Sequence, residues 1–199
     1  MSEHTLTIGQ DMRDGSKTKE LISRAALTLF VEKGIAETTI RDIAREAGVA
    51  EGAMYRHFHS KDALAWELFS ENFTTLALDL ERLKEPHPTA RAQLEAMIRQ
   101  FCAFFDADPV MFSYLLLAQH EHFKKITPEM PSPIKVVREV IEGGMARGEI
   151  PERDPNLATA MIMGVVLQVA TFKIYEGINQ SLASLSGTLF DACWRVLTG

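Results

Sequence analysis

The 199-residue sequence predicts an all-α fold. Two observations carry that expectation. Apolar residues recur at three- and four-residue spacing along most of the chain, and no stretch alternates as a strand would. All eight prolines, Pro86, Pro88, Pro109, Pro128, Pro131, Pro133, Pro151 and Pro155, fall between the periodic stretches and none inside one. Proline breaks a helix interior but suits its borders, so these residues divide the chain into about nine helices.

Residues 1–16 are polar, contain Gly9 and Gly15, and read as a flexible tail. The first helix then shows a wide apolar stripe of Leu21, Ile22, Ala25, Ala26, Leu29 and Phe30, and Gly34 stops it. Thr39 followed by Asp42 resembles a capping box, with Asp in place of the usual Glu or Gln. Ile40, Ile43, Ala44 and Ala47 give the second helix its buried face, and Gly48 ends it. A short third helix is expected from about Ala50 to His57. Ser60 is a natural N-cap for a long fourth helix with Asp62 in its first turn, ending before Pro86. Five more helices are expected near 89–106, 110–125, 132–147, 155–176 and 182–197. The expected organisation is a tail over 1–16, a head over 17–64 and a body over 65–199.

Composition bounds the function. At 46% hydrophobic and 24% charged residues, the chain can bury real cores and is not a disordered sequence. Its net charge of −6 argues against nucleic acid as a bulk partner. Residues 1–62 hold nine Lys and Arg against ten Asp and Glu, whereas residues 38–61 hold four against three. A DNA-binding face would therefore depend on local placement. Cys102 and Cys193 lie far apart in sequence and read as reduced core residues of a cytoplasmic protein. No apolar leader is visible. The most apolar run, Ala158 to Phe172, is interrupted by Gln168 and reads as too short to span a bilayer.

The stretch TTIRDIAREAGVAEGAMYRHFHSKDAL, from Thr38 to Leu64, places a tight glycine turn between two short helices. That is the pattern of a helix-turn-helix. Gly48 supplies the turn, and Gly52 and Ala53 are small enough for the third helix to approach DNA closely. Tyr55, His57 and Lys61 are donors clustered where phosphates would lie.

This run resembles the DNA-binding domain of the TetR family of transcriptional regulators. The matching residues are Thr39-Ile40-Arg41-Asp42-Ile43-Ala44, Ala47-Gly48-Val49, Gly52, Tyr55, His57-Phe58, Ser60-Lys61 and Leu64, within residues 18 to about 65. The resemblance implies phosphate contacts from Thr39, Tyr55, His57 and Lys61. It places Glu51, Ala53 and Arg56 near base edges, with Arg41 and Gly52 on the same DNA-facing surface. Ala50 stands where the family usually has a Ser or Thr cap, so the third helix is expected to be held less firmly. His59 reads as a surface residue.

The resemblance also implies a helical body that binds a small effector and dimerises. Candidate effector-binding residues are Trp66, Phe69, Phe101, Phe105, Phe112, His120, Gln168 and Thr171. The helix after Asp154-Pro155 is apolar on nearly all sides, and the last helix repeats the pattern. A helix apolar all round needs cover all round. A homodimer is expected through these two helices, with Met161, Val165, Val166, Val169, Leu185, Leu189 and Trp194 as candidate interface residues. His120 and His122 lie two residues apart and point away from each other on a helix, so no metal site is expected, and no cofactor. No nucleophile elbow or phosphate loop suggests an enzyme. The expected function is a repressor released from a palindromic operator by a small apolar or amphipathic molecule. The alternative is a helical small-molecule-binding protein without sequence-specific DNA recognition.

Overall fold

The computed structural model describes the backbone of residues 3–199 and the side chains from residue 15 onward. Nine α-helices and one 3₁₀ turn are present among the described residues, with no strand. They are α1 (Glu3–Lys33), α2 (Ile40–Glu46), α3 (Glu51–His57), α4 (Lys61–Arg82), α5 (Ala90–Ala107), α6 (Pro109–His122), the 3₁₀ turn Phe123–Lys125, α7 (Pro133–Ala146), α8 (Pro155–Ile174) and α9 (Leu182–Thr198). Within the segment expected to form a tail, helical backbone begins at Glu3. A helix nucleated in the apolar stretch gains a hydrogen bond for each residue added. Gly9 and Gly15 reduce that gain by about 1 kcal/mol each, too little to stop the helix.

The chain divides into two compact units, residues 1–70 and 71–199. The boundary lies inside α4, later than the one expected after Leu64. Leu64, Ala65, Leu68 and Phe69 are all buried, so the first turns of α4 have core positions of their own.

In the first unit α1 packs on α2 and α3, and α2 packs on α3. Ile22, Ala26, Ile43, Met54 and Leu64 are buried at its centre. The capping box at α2 is formed: the Asp42 N–H donates to Thr39 Oγ1 at 3.1 Å, and the Thr39 N–H donates back to Asp42 Oδ2 at 3.2 Å. These hydrogen bonds to Thr39 hold the Asp42 carboxyl below its ordinary pKa. Gly48, at φ +67°, takes the left-handed turn that ends α2. Ala50 leaves the start of α3 without a side-chain cap. Ala50→Ser should therefore raise stability by about 1 kcal/mol in denaturant unfolding.

In the second unit α5 is central, packing on α9, α7 and α6, while α8 packs on α9 and α7. Pro109, Pro133 and Pro155 each open a helix, where a missing N–H costs nothing. The start of α9 is capped from a distance: the Leu182 and Ala183 N–H groups donate to Asp106 of α5 at 3.0 and 2.8 Å. A Cβ at Gly144 would lie 2.7 Å from the Ala90 Cβ, so α7 approaches the start of α5 closely because position 144 carries no side chain. Cys102 and Cys193 are free and buried, and burial raises both thiols to about 11.

Candidate functional site

The head presents a polar surface built from the starts of α2 and α3. Thr39, Arg41, Glu51, Gly52, Tyr55 and Arg56 are exposed there. Met54 and Phe58, one helical turn apart, anchor α3 in the core. That leaves Gly52, Tyr55 and Arg56, at three- and four-residue spacing, on the opposite face. Tyr55 is 60% exposed, although a tyrosine ring usually finds apolar cover. The Arg41 Nε lies 3.8 Å from Glu51 Oε1, so this surface carries its own loose ion pair. A Cβ at Gly52 would meet nothing within 4 Å, and no packing within the protein requires a glycine there.

Three residues expected on this surface are already engaged within the protein. Ala53 is only 6% exposed and belongs to the core face beside Met54, so it presents nothing to a base edge. Its small size serves helix packing. Lys61 is half-buried and already engaged: its Nζ donates to the Ile35 and Ala36 carbonyls at 2.6 and 3.0 Å. It ties the α1–α2 loop to the start of α4 and retains one ammonium proton for another acceptor. The Thr39 hydroxyl donates to Asp42 Oδ2 at 2.7 Å and so is also committed within the protein. His57 is half-buried and tilted against Phe58, with ring centroids 6.4 Å apart. Sequence reasoning missed Thr38. It is fully buried, and its hydroxyl donates to the Gly34 and Leu29 carbonyls. Thr38 and Lys61 together fix the loop that aims α2. Charged hydrogen bonds contribute about 1.5–3 kcal/mol, so Lys61→Ala should destabilise the chain by roughly that amount in denaturant unfolding, with or without DNA.

The candidate effector residues separate. Phe101, Phe105 and Phe112 are buried and packed together, Phe112 meeting Phe101 edge-on at 5.4 Å and Phe105 at 6.1 Å. Phe112 also borders a cleft of about 230 Å³ with Asn72, Thr75, Asp79, Phe104 and Met111. Trp66 stacks on the buried Phe69 at 6.1 Å; both belong to the first unit and neither lines this cleft. His120 is exposed against Phe123, correcting its expected place in a cavity. The buried histidine is His122, whose Nε2 lies 3.4 Å from the Tyr114 hydroxyl oxygen. The two histidines do diverge, as their spacing requires. Gln168 is exposed, not a buried amide, and the Thr171 hydroxyl is satisfied by the Leu167 carbonyl of its own helix at 2.8 Å. A second cleft of about 410 Å³, unforeseen from sequence, lies among the end of α6, α7 and α8.

The candidate interface residues also divide. Val166 and Leu189 are buried within the chain's own core. Trp194 stacks on Phe190 at 6.1 Å, and the Arg91 guanidinium lies 5.0 and 5.3 Å from the two rings. Val165, Val169 and Leu185 are half-buried beside that core. The outward stripe of α8 is Leu157, Met161, Gly164, Gln168, Phe172 and Tyr175, spaced by three or four residues. Leu157, Met161, Phe172 and Tyr175 are 60%, 44%, 55% and 68% exposed. The helix spans 20 residues and holds an 18-residue window of mean hydropathy 1.8, long and apolar enough by those measures to cross a bilayer, contrary to the sequence expectation. A helix whose outer face is covered by protein passes the same test.

Comparison with known proteins agrees with the head geometry. Residues 22–71 match the family model described as bacterial regulatory proteins, tetR family. The chain is 26% identical over 172 residues to the fatty acid metabolism regulator protein of Bacillus subtilis, covering 84% of this chain and 89% of that one. It is 28% identical over 156 residues to the transcriptional repressor KstR2 of Mycolicibacterium smegmatis, covering 74% of each. Among solved structures, FadR from Bacillus subtilis in complex with stearoyl-CoA superposes with a TM-score of 0.74 at 24% identity, over 87% of this chain and 96% of that one. The matched segment contains the whole turn that presents Gly52, Tyr55 and Arg56, so the head of this chain is similar to the DNA-binding segment of tetR-family regulatory proteins.

Proposed function

We propose that this protein is a cytoplasmic repressor that binds a palindromic operator as a homodimer and is released by a small amphipathic effector. The single observation that carries the reading is the exposed face of α3. Gly52, Tyr55 and Arg56 face outward while Ala53, Met54 and Phe58 hold the helix from behind. A reading helix needs that division between a core side and a groove side. The backbone N–H groups at the starts of α2 and α4 can meet phosphate there, and Arg41 and Tyr55 can add side-chain donors.

Dimerisation is proposed through the outward stripe of α8 and the adjoining face of α9. Positions 164 and 187 both have open space where a Cβ would stand, so neither glycine is explained by packing within the chain. Two heads on one two-fold axis match a palindrome. Cover by a second copy suits this stripe better than lipid, because Gln168 lies in its middle.

The relatives support an acyl effector. A Bacillus subtilis relative is named a fatty acid metabolism regulator, and FadR from that organism was solved with stearoyl-CoA. The second unit offers apolar cleft walls for an acyl chain, Phe104, Met111 and Phe112 in one cleft and Phe123, Met163 and Leu167 in the other. Helix α4 contributes residues to both units. An effector can shift the operator-binding equilibrium only by its differential affinity for the two states. A hundredfold preference corresponds to about 2.7 kcal/mol. Fluorescence anisotropy of labelled operator should show affinity falling at least tenfold on addition of a long-chain acyl thioester. Acyl thioesters, fatty acids and other apolar compounds that bind without changing operator affinity would defeat the regulatory reading.

A further inference from the structure

The larger cleft of the second unit is a groove with an apolar floor and a basic rim. Phe123, Ile134, Met163 and Leu167 supply the apolar surface, and Lys135 and Arg138, one turn apart on α7, supply the charge. At about 410 Å³ it falls within the range of small-molecule sites, about 300–1,000 Å³, whereas the smaller cleft does not.

Arg138 is unusually placed. Its Nε is shielded from solvent and makes no hydrogen bond. The Glu142 carboxylate stands 3.6 Å away, beyond hydrogen-bond reach, and the Nη1 contact to Asn156 Oδ1 is 3.4 Å, at the limit. The side chain as a whole is 40% exposed and pairs loosely with Glu142, so it is the shielded Nε–H alone that lacks an acceptor, and an anion in the groove would satisfy it. Lys135 donates to the Pro128 carbonyl and has Glu129 nearby, which leaves it two further protons.

We infer that this groove is an anion-head site, taking the charged end of an amphipathic effector against Arg138 and Lys135 while its hydrocarbon lies along Phe123, Met163 and Leu167. The inference rests on the effector-controlled reading above and assigns the polar end of the ligand, which that reading leaves open. The shared chemistry is an anionic group on an alkyl chain, and a free carboxylate and a coenzyme A thioester both supply it.

The test is calorimetric titration of the full-length chain with dodecanoate, dodecanoyl-CoA and dodecanol. Wild type should bind at least one anion tenfold or more tighter than the alcohol. Arg138→Gln should reduce that ratio about tenfold, and Arg138→Lys, which keeps the charge, should recover part of it. A larger loss with dodecanoate identifies the carboxylate as the head; a larger loss with the thioester identifies the coenzyme. Equal affinity for all three probes, or a ratio unchanged in Arg138→Gln, overturns the inference. So does loss of the dimer in Arg138→Gln by sedimentation, which would make the groove a contact between copies. Operator anisotropy separates the two readings. Release by dodecanoyl-CoA at the same concentration in wild type and Arg138→Gln overturns the groove and leaves the repressor standing. Arg138-dependent anion binding without operator release supports the groove and overturns the regulatory reading.

Discussion

Gly52→Ala should leave the fold intact and weaken operator binding. Alanine is the better helix former, and a Cβ at this position would enter open space. Unfolding should show a stability unchanged or raised by up to about 1 kcal/mol. The same Cβ would stand on the exposed face of α3, between the helix and the base edges it has to approach. Gly52→Ala should therefore weaken operator binding at least tenfold, and Gly52→Val should abolish specific binding. Few substitutions part stability from function so cleanly. If Gly52→Ala binds operator as wild type does, α3 does not approach DNA through this face.

The second large effect concerns the outer stripe of α8. Met161→Glu should give a soluble, helical monomer with specific operator binding lost. Two-fold symmetry places each substitution in the interface twice. An uncompensated charge there costs several kcal/mol. Val166→Glu should behave differently, because Val166 is 8% exposed and faces the chain's own core. It should lower the melting temperature sharply and yield little soluble protein. Sedimentation at micromolar concentration separates the two cases. A dimeric Met161→Glu protein would remove this stripe from the interface, and a wild type sedimenting at 22.2 kDa would remove the dimer altogether.

What the sequence revealed follows from which signals are local. Helix number and order were legible because proline punctuation and apolar period are properties of neighbouring residues. The Thr39–Asp42 cap and the turn at Gly48 were legible for the same reason. The facing of Ala53 and Lys61 was not. A seven-residue helix offers less than two full turns of pattern, so a small residue reads equally well as groove-facing or core-facing. Lys61 meets carbonyls 25 and 26 positions earlier in the chain, and no spacing rule reaches that far. Val166 and Leu189 were assigned to the interface because α8 and α9 carry apolar residues on several faces. Periodicity then fails to say which face looks inward. The exposed stripe from Leu157 to Tyr175 settles it only when the neighbouring helices are in place. The Lys135–Arg138 pair carried a usable signal, two basic residues one turn apart on a strongly amphipathic helix. Its meaning depended on the end of α6 and on α8 closing a groove around it.

The central claim is that α3, presented twice by a dimer, reads a specific DNA sequence. Its most direct measurement is the affinity of the purified wild-type chain, at physiological salt, for duplex DNA flanking its own coding region against random duplex of equal length. A palindromic segment of the flanking DNA should bind at least about 10³-fold more tightly than random sequence, the lower end of the range for specific regulators. Equal affinity for the two duplexes, with the protein folded and dimeric, would contradict it.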